Sequence, residues 1–357
     1  MKPTPPRPTP EPPLPTGVPA TAQLQPQPAA APGATTLLNR RGFLTAGLTA
    51  GAGGFGASAF RGLAAAEASA GVPPAPSGVP AGNRFKLKYA PTFGMFEAHA
   101  GKDLFAQLRF MAEAGFSALL DGGFLRRPPE LQTNLAEEME RLGITLAGPY
   151  CSTTIGGQSL VAGTDHREAY AQYYREICEK LKRVNGKWFL VVPGELVKGL
   201  SMEQMMAHLI ENLKAIMKAV EPTGCILTLE PLNPRDHGGL YLTKIRQAMD
   251  ICRAVGSPSC TIVNDLYHQQ ITEGDLIPNI QNAWDYIAHY HLGDSPGRNE
   301  PTTGEINYRS IFKFLHEQGF TGVLGMEHGK SRKGKEGELA LLHAYRWCDA
   351  FDAPYKL

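Results

Sequence analysis

"SMEQMMAHLIENLKAIMKAVEPTGCILTLEPLN", Ser201 to Asn233, carries two patterns in succession. Met202, Met206, Leu209, Leu213 and Met217 recur at threes and fours, the period of an amphipathic helix. Pro222 and Gly224 end that helix. The run from Cys225 to Leu229 is then continuously apolar or β-branched and stops at Glu230 and Pro231, as a short buried strand does. One helix feeding one buried strand is a unit of a parallel sheet.

The same alternation extends in both directions. Upstream strand signals are "FKLKYAPTF", "GFSALLDGGF", "GITLAGPY" and "KWFLVVPG"; downstream ones are "CTIVNDLYH", "AHYHLGD" and "GVLGMEH". Between them lie helical segments such as "DLFAQLRFMAEAG", "REAYAQYYREICEKLKRV" and "YRSIFKFLHEQG". Counting gives eight strands, each followed by a helix, in a region from residue 85 to 357. The fold class is therefore α/β, and the architecture predicted is a closed (β/α)8 TIM barrel. An open doubly wound sheet is the alternative, but no G-x-G-x-x-G follows the first strand.

Composition sets the outer limits. The 357 residues are 43% hydrophobic and 19% charged, with a formal net charge of +1. That is ordinary globular material, and it gives no electrostatic reason to bind nucleic acid or an anionic membrane. Residues 1–36, rich in Pro and Ala, are expected to be disordered. Residues 37–70 hold "NRRGFL" at 39–44, a glycine- and alanine-rich apolar stretch, and small residues near Ala66 and Ala70. This looks like a twin-arginine export signal, which implies the Tat machinery as a partner and a periplasmic mature protein without an integral membrane domain. A transmembrane anchor is the alternative, and unused, the signal would leave the protein in the cytoplasm. Residues 71–84 read as a linker. The six cysteines show no C-x-x-C spacing and are expected to be buried free thiols.

A barrel keeps its active site at the C-terminal ends of its strands. Four consecutive strands bring Glu230, Asp265, His291 and Glu327 to that rim. Carboxylates so close together are costly to ionise unless a cation joins them. Three oxygen donors and one nitrogen suit Mn2+ or Mg2+, and less selectively Co2+ or Zn2+, with coordination positions left for a substrate. Taken singly, Asp265 could simply cap the next helix, and His291 could be a core histidine. Their equivalent positions in successive units favour a metal site.

The stretches "EPLNPRDHGGLYL", "NDLYHQQITEGDL", "HLGDSPGRNEPTTGEINY" and "MEH" resemble the hydroxypyruvate isomerase family, within the wider xylose-isomerase-like barrels that include the ketose 3-epimerases. The resemblance spans roughly residues 85–350. It implies that Glu230, Asp265, His291 and Glu327 bind the metal and that Glu230 and Glu327 carry protons. It also places His268 and Arg298 where the wider group contacts substrate. His291 stands where many hydroxypyruvate isomerases have Gln and the epimerases have His.

In the loop after His291, Gly293, Pro296 and Gly297 are expected to turn the chain sharply. Arg298 can then reach back with a fork suited to a carboxylate or vicinal hydroxyls; its alternative is an ion pair with Glu300 or Glu305. "TGEINY" closes the loop and caps the next helix. His289 lies deeper on the same strand face, in the core.

Such a site needs no nucleotide or redox cofactor. One glutamate takes a proton beside a metal-gripped carbonyl and a second acid returns one. Return at the adjacent carbon isomerises, and return at the opposite face epimerises. Three readings stay open: hydroxypyruvate to tartronate semialdehyde or a related isomerisation, a keto-sugar 3-epimerase, and an exported sugar-binding protein without activity. The partner is a small hydroxy-keto acid or sugar. Oligomeric state, homo-oligomer included, stays open.

Overall fold

The computed structural model describes residues 84–352. The Pro-rich segment, the export signal and all of the expected linker except Arg84 lie outside the described residues.

Ten strands follow in chain order: β1 (Lys88–Ala90), β2 (Ala118–Leu120), β3 (Thr145–Ala147), β4 (Thr154–Ile155), β5 (Gln158–Ser159), β6 (Trp188–Val191), β7 (Ile226–Leu229), β8 (Cys260–Asp265), β9 (Ile287–Leu292) and β10 (Val323–Met326). Six of them form a parallel sheet in the order β1-β10-β9-β8-β7-β6, and β2 and β3 form a parallel pair. Single parallel bridges join these pieces, Thr92 to Leu120 on one side and Tyr150 to Leu190 on the other. The eight parallel strands thus close into a ring, as the alternation predicts.

The helices are α1 (Glu97–Ala100), α2 (Leu104–Glu113), α3 (Pro129–Leu142), α4 (Arg167–Lys182), α5 (Met202–Val220), α6 (Ile245–Val255), α7 (Leu266–Thr272), α8 (Leu276–Ala283), α9 (Tyr308–Glu317) and α10 (Gly334–Asp349). Local sequence explains their ends. Ser201 and Gln204 form a reciprocal capping box on α5, a contact whose loss costs about 1 kcal/mol. Gly143 and Gly256 close α3 and α6 in the left-handed conformation that glycine adopts without strain.

The buried face of α5 runs through Met205, Leu209, Leu213, Ile216 and Met217, while Met202 is 47% exposed. The predicted stripe is right in its later turns and wrong at its start, where Met205 and not Met202 faces the core. The predicted helix after the sixth strand is two helices, α7 and α8. The antiparallel pair β4–β5, a two-residue ladder with Gly156 and Gly157 at its tip, was not anticipated.

The main core lies between the ring and the helices. Inside the ring the packing is small: Ala90, Ala118, Leu120, Ala147 and Val323 cluster together. A β-carbon on Gly325 would come within 2.8 Å of the His291 ring and 3.2 Å of the His289 ring. Gly325 therefore makes the room that those two histidines occupy. A buried carboxylate, Glu338 of α10, accepts hydrogen bonds from the Ala98 and His99 backbone and from Lys330, pinning α1 and the loop after β10 to one helix.

All six cysteines are free thiols, five of them buried. Among the described residues no helix is long and apolar enough to cross a membrane.

Candidate metal centre and active site

Each of the four rim residues sits where its strand stops. Glu230 directly follows β7, Asp265 ends β8, His291 is one residue from the end of β9, and Glu327 directly follows β10. The register puts Asp265 opposite His291, and His291 opposite Gly325. One ligand-type atom from each of the four lies within 4.8 Å of the others. Glu230, Asp265 and His291 are almost wholly buried, and the Glu327 side chain is 29% exposed.

His291 Nδ1 is 3.0 Å from a Glu230 oxygen and 3.3 Å from a Glu327 oxygen. Asp265 divides its two oxygens. Oδ1 accepts the Tyr267 and His268 backbone N–H groups and caps α7, while Oδ2 faces the site. The capping role and the site role weighed as alternatives coexist on one carboxylate.

The four side chains perturb one another. Burial pushes the Glu230 carboxyl up to about 7, although its contact with His291 opposes this. Burial would also raise Glu327, but His291 and Arg298 outweigh it and hold Glu327 well below the usual carboxylate range. Burial alone would lower His291, yet Glu327 and Glu230 raise it to about 10.

This donor set fits a divalent cation. Three carboxylates crowd one imidazole nitrogen in a nearly dry place and draw on His291 and Arg298 for compensating charge. Hard oxygen donors with one nitrogen match Mn2+ or Mg2+, and no thiol takes part.

Arg298 reaches the site as the loop geometry suggests. Its φ of 49° is left-handed, and the Ser295–Pro296 peptide before it is cis. The Asp294 carboxylate accepts the Gly304 and Ile306 N–H groups and ties the loop together. The Arg298 guanidinium lies 2.7 Å from Glu327 and 3.1 Å from Asp265, over the Tyr267 ring at 4.8 Å. The alternative ion pairs do not form. Glu300 accepts from Ser331 instead, and Glu305 from Ser295 and Gln270. Asn307 caps α9.

His268 is buried on α7, its Nε2 3.5 Å from Asp265 Oδ2. Burial pushes its pKa down to about 4, so the ring is neutral near pH 7. His289 is buried below His291, edge-on to it at 5.0 Å.

Tyr150 escaped the sequence reading. Its hydroxyl donates to a Glu327 oxygen, and its ring stands edge-on to His291. A β-carbon on Gly122 would lie 2.1 Å from that ring, so Tyr150 depends on a glycine 28 positions upstream. The available signal was positional: Tyr150 ends the third strand run, by the same rule that picked out the other four. Asn233, Asp236 and Tyr267 also belong to the rim network.

Fold and rim together define an α/β barrel protein with an acidic, histidine-containing site at the C-terminal ends of its strands. The sequence pattern described as xylose isomerase-like TIM barrel matches residues 108–351, and the chain belongs to that family. It is 36% identical to hydroxypyruvate isomerase of Escherichia coli (strain K12) over 153 residues, which is 43% of this chain and 59% of the relative. It is 30% identical over 155 residues to 2-oxo-tetronate isomerase of Cupriavidus necator, again 43% of this chain and 59% of the relative. The chain thus spans about three fifths of the length of these relatives. Among solved structures, D-psicose 3-epimerase from Clostridium cellulolyticum H10 with D-tagatose shares the fold with a TM-score of 0.58 at 20% identity, over 74% of this chain and 95% of that one. AP endonuclease, family 2, from Brucella melitensis does so with a TM-score of 0.61 at 23% identity, over 72% and 99%.

Proposed function

We propose that the chain is a divalent-metal-dependent isomerase of small α-hydroxycarbonyl compounds, with hydroxypyruvate to tartronate semialdehyde as its reaction. The observation that carries this reading is the convergence of Glu230, Asp265, His291 and Glu327 within 4.8 Å at the strand ends. The names of the curated relatives, a hydroxypyruvate isomerase and a 2-oxo-tetronate isomerase, support the substrate class.

Glu230, Asp265, His291 and Glu327 would hold the ion, which when bound supplies Lewis acidity toward a carbonyl and its neighbouring hydroxyl. The chain's own residues do the rest. One of Glu230 and Glu327 accepts the proton from the hydroxymethyl carbon, leaving an enediolate. The other returns a proton to the former carbonyl carbon, and a hydroxyl proton moves between the two oxygens. Protons balance and no oxidant is needed. Arg298 pairs with the substrate carboxylate, and His268 faces a substrate oxygen.

A keto-sugar 3-epimerase is the second reading, favoured by His291 in place of the Gln of many hydroxypyruvate isomerases. Arg298 separates the two. A guanidinium paired with a carboxylate in a water-poor pocket is worth roughly 2–5 kcal/mol when truncated. Arg298→Ala is expected to lose on the order of 30-fold or more in kcat/KM on hydroxypyruvate, but nearer tenfold on a neutral ketose. Its contacts with Asp265 and Glu327 are lost equally for both substrates, so the ratio reads the substrate carboxylate alone. Equal losses, measured at saturating Mn2+ or Mg2+, would count against an acidic substrate.

Tyr150 supplies a second check. Tyr150→Phe removes the donor to Glu327, a hydrogen bond to a charged group, and should lower turnover about tenfold or more. Gly122→Ala drives a β-carbon into the same ring and should lose at least as much. Wild-type turnover in both variants would show that the Tyr150 contact does not serve the reaction.

A further inference from the structure

Asn233 lies three residues beyond Glu230 and is completely buried. Its side-chain oxygen accepts the Asp236 backbone N–H at 2.9 Å. A peptide N–H can only donate, so this bond fixes which way the amide points. The NH2 group must then face the other way. It lies 2.6 Å from His268 Nδ1 and 3.3 Å from an Asp236 oxygen. The backbone N–H of Asn233 also points at His268 Nδ1, at 3.4 Å.

Two donors therefore converge on one ring nitrogen, and neither can reverse its role by ionising. Nδ1 must present its lone pair. A neutral imidazole carries one N–H and one lone pair, so the proton sits on Nε2. Nε2 is buried and has no hydrogen-bond partner; the Asp265 oxygen that faces it is 3.5 Å away. Asp236 is held in turn by the Tyr267 hydroxyl at 2.6 Å, so the amide is braced from behind.

We propose that Asn233 is a positioning residue that locks His268 in its Nε2–H tautomer, making His268 a fixed hydrogen-bond donor to a substrate oxygen that gains negative charge, and not a base. The inference rests on the isomerase reading of this rim and deepens it. It assigns the proton abstraction to the carboxylates and charge stabilisation to the imidazole. A donor held in place before the reaction needs no reorganisation as charge develops, which is where such a group contributes most.

The experiment reads the nitrogens directly. Full-length protein is labelled with 15N-histidine, and the His268 signals are assigned by their loss in His268→Gln. In wild type, two-bond nitrogen–proton correlations should show Nε2 protonated and Nδ1 bare. Asn233→Asp puts an acceptor against Nδ1 and should draw a proton onto it. Its kcat should fall on the order of 10²-fold, with KM within about threefold. Asn233→Ala keeps the backbone donor and should fall only about tenfold. A wild-type His268 protonated on Nδ1 overturns the proposal. So does an Asn233→Asp variant that loses turnover with its tautomer unchanged, which is what a purely structural role would give. If Asn233→Asp does not fold, the Asn233→Ala spectrum decides: with the 2.6 Å side-chain donor gone and only the 3.4 Å backbone donor left, a measurable share of Nδ1-protonated His268 supports the lock, and an unchanged Nε2–H signal overturns it. The spectrum needs no turnover, so a missing isomerase activity counts against the proposed function and a wrong tautomer against this inference.

Discussion

Glu230→Gln and Glu327→Gln are each expected to lower turnover by roughly 10³-fold or more, while Glu305→Gln changes it by no more than about threefold. Each of the first two substitutions removes a carboxyl oxygen from the four-residue cluster and a group able to carry a proton. Glutamine keeps the volume, and at position 230 its carbonyl can still accept the His291 hydrogen bond, so the fold should survive. Glu305 is a stringent control. It belongs to the same loop as Arg298, but its carboxylate accepts hydrogen bonds from Ser295 and Gln270, outside the cluster. Steady-state kinetics on hydroxypyruvate at saturating metal would check all three. Three similar losses would mean that the glutamates had been divided wrongly; three negligible ones would mean that the chemistry lies elsewhere.

Stripping divalent metal by chelation should abolish activity, and returning Mn2+ or Mg2+ should restore it. Three carboxylates gathered within 4.8 Å of an imidazole nitrogen are held together more easily around a cation than without one. A ligand that binds only the folded state stabilises it by about 2.7 kcal/mol at a hundredfold excess over its Kd. Metal should therefore raise Tm as well as activity, and the rise should vanish in Asp265→Asn combined with His291→Ala. Calorimetric scans with and without metal give the readout. A Tm indifferent to Mn2+, Mg2+, Co2+ and Zn2+ would argue against a resident ion.

The ring of strands was legible because each strand is short, apolar and ended by Gly, Pro or a polar residue, and because buried parallel strands need no alternation that could be misread. The same regularity exposed Glu230, Asp265, His291 and Glu327, since a strand end is a position that sequence alone can mark. The β4–β5 pair was hidden: its strands are two residues long, and polar residues fill most of them. At Met202 the reading differs because periodicity gives the face of a helix but not how far along the helix that face stays covered. The pairing of Arg298 with Asp265 and Glu327, 33 and 29 residues away, required the ring to be closed first. Tyr150 and Glu327 are 177 residues apart, and nothing local announces their contact.

The central claim is that this rim moves a proton between adjacent carbons. It is tested most directly by incubating the metal-loaded protein with hydroxypyruvate in deuterium oxide and following the substrate carbons by NMR. The account predicts deuterium at the hydroxymethyl carbon of recovered hydroxypyruvate and appearance of tartronate semialdehyde, both lost in Glu230→Gln and Glu327→Gln. Neither exchange nor product with hydroxypyruvate, alongside exchange of the hydrogen next to the carbonyl of a neutral ketose, would replace the isomerase with an epimerase. No exchange with any small keto acid or ketose would contradict the account.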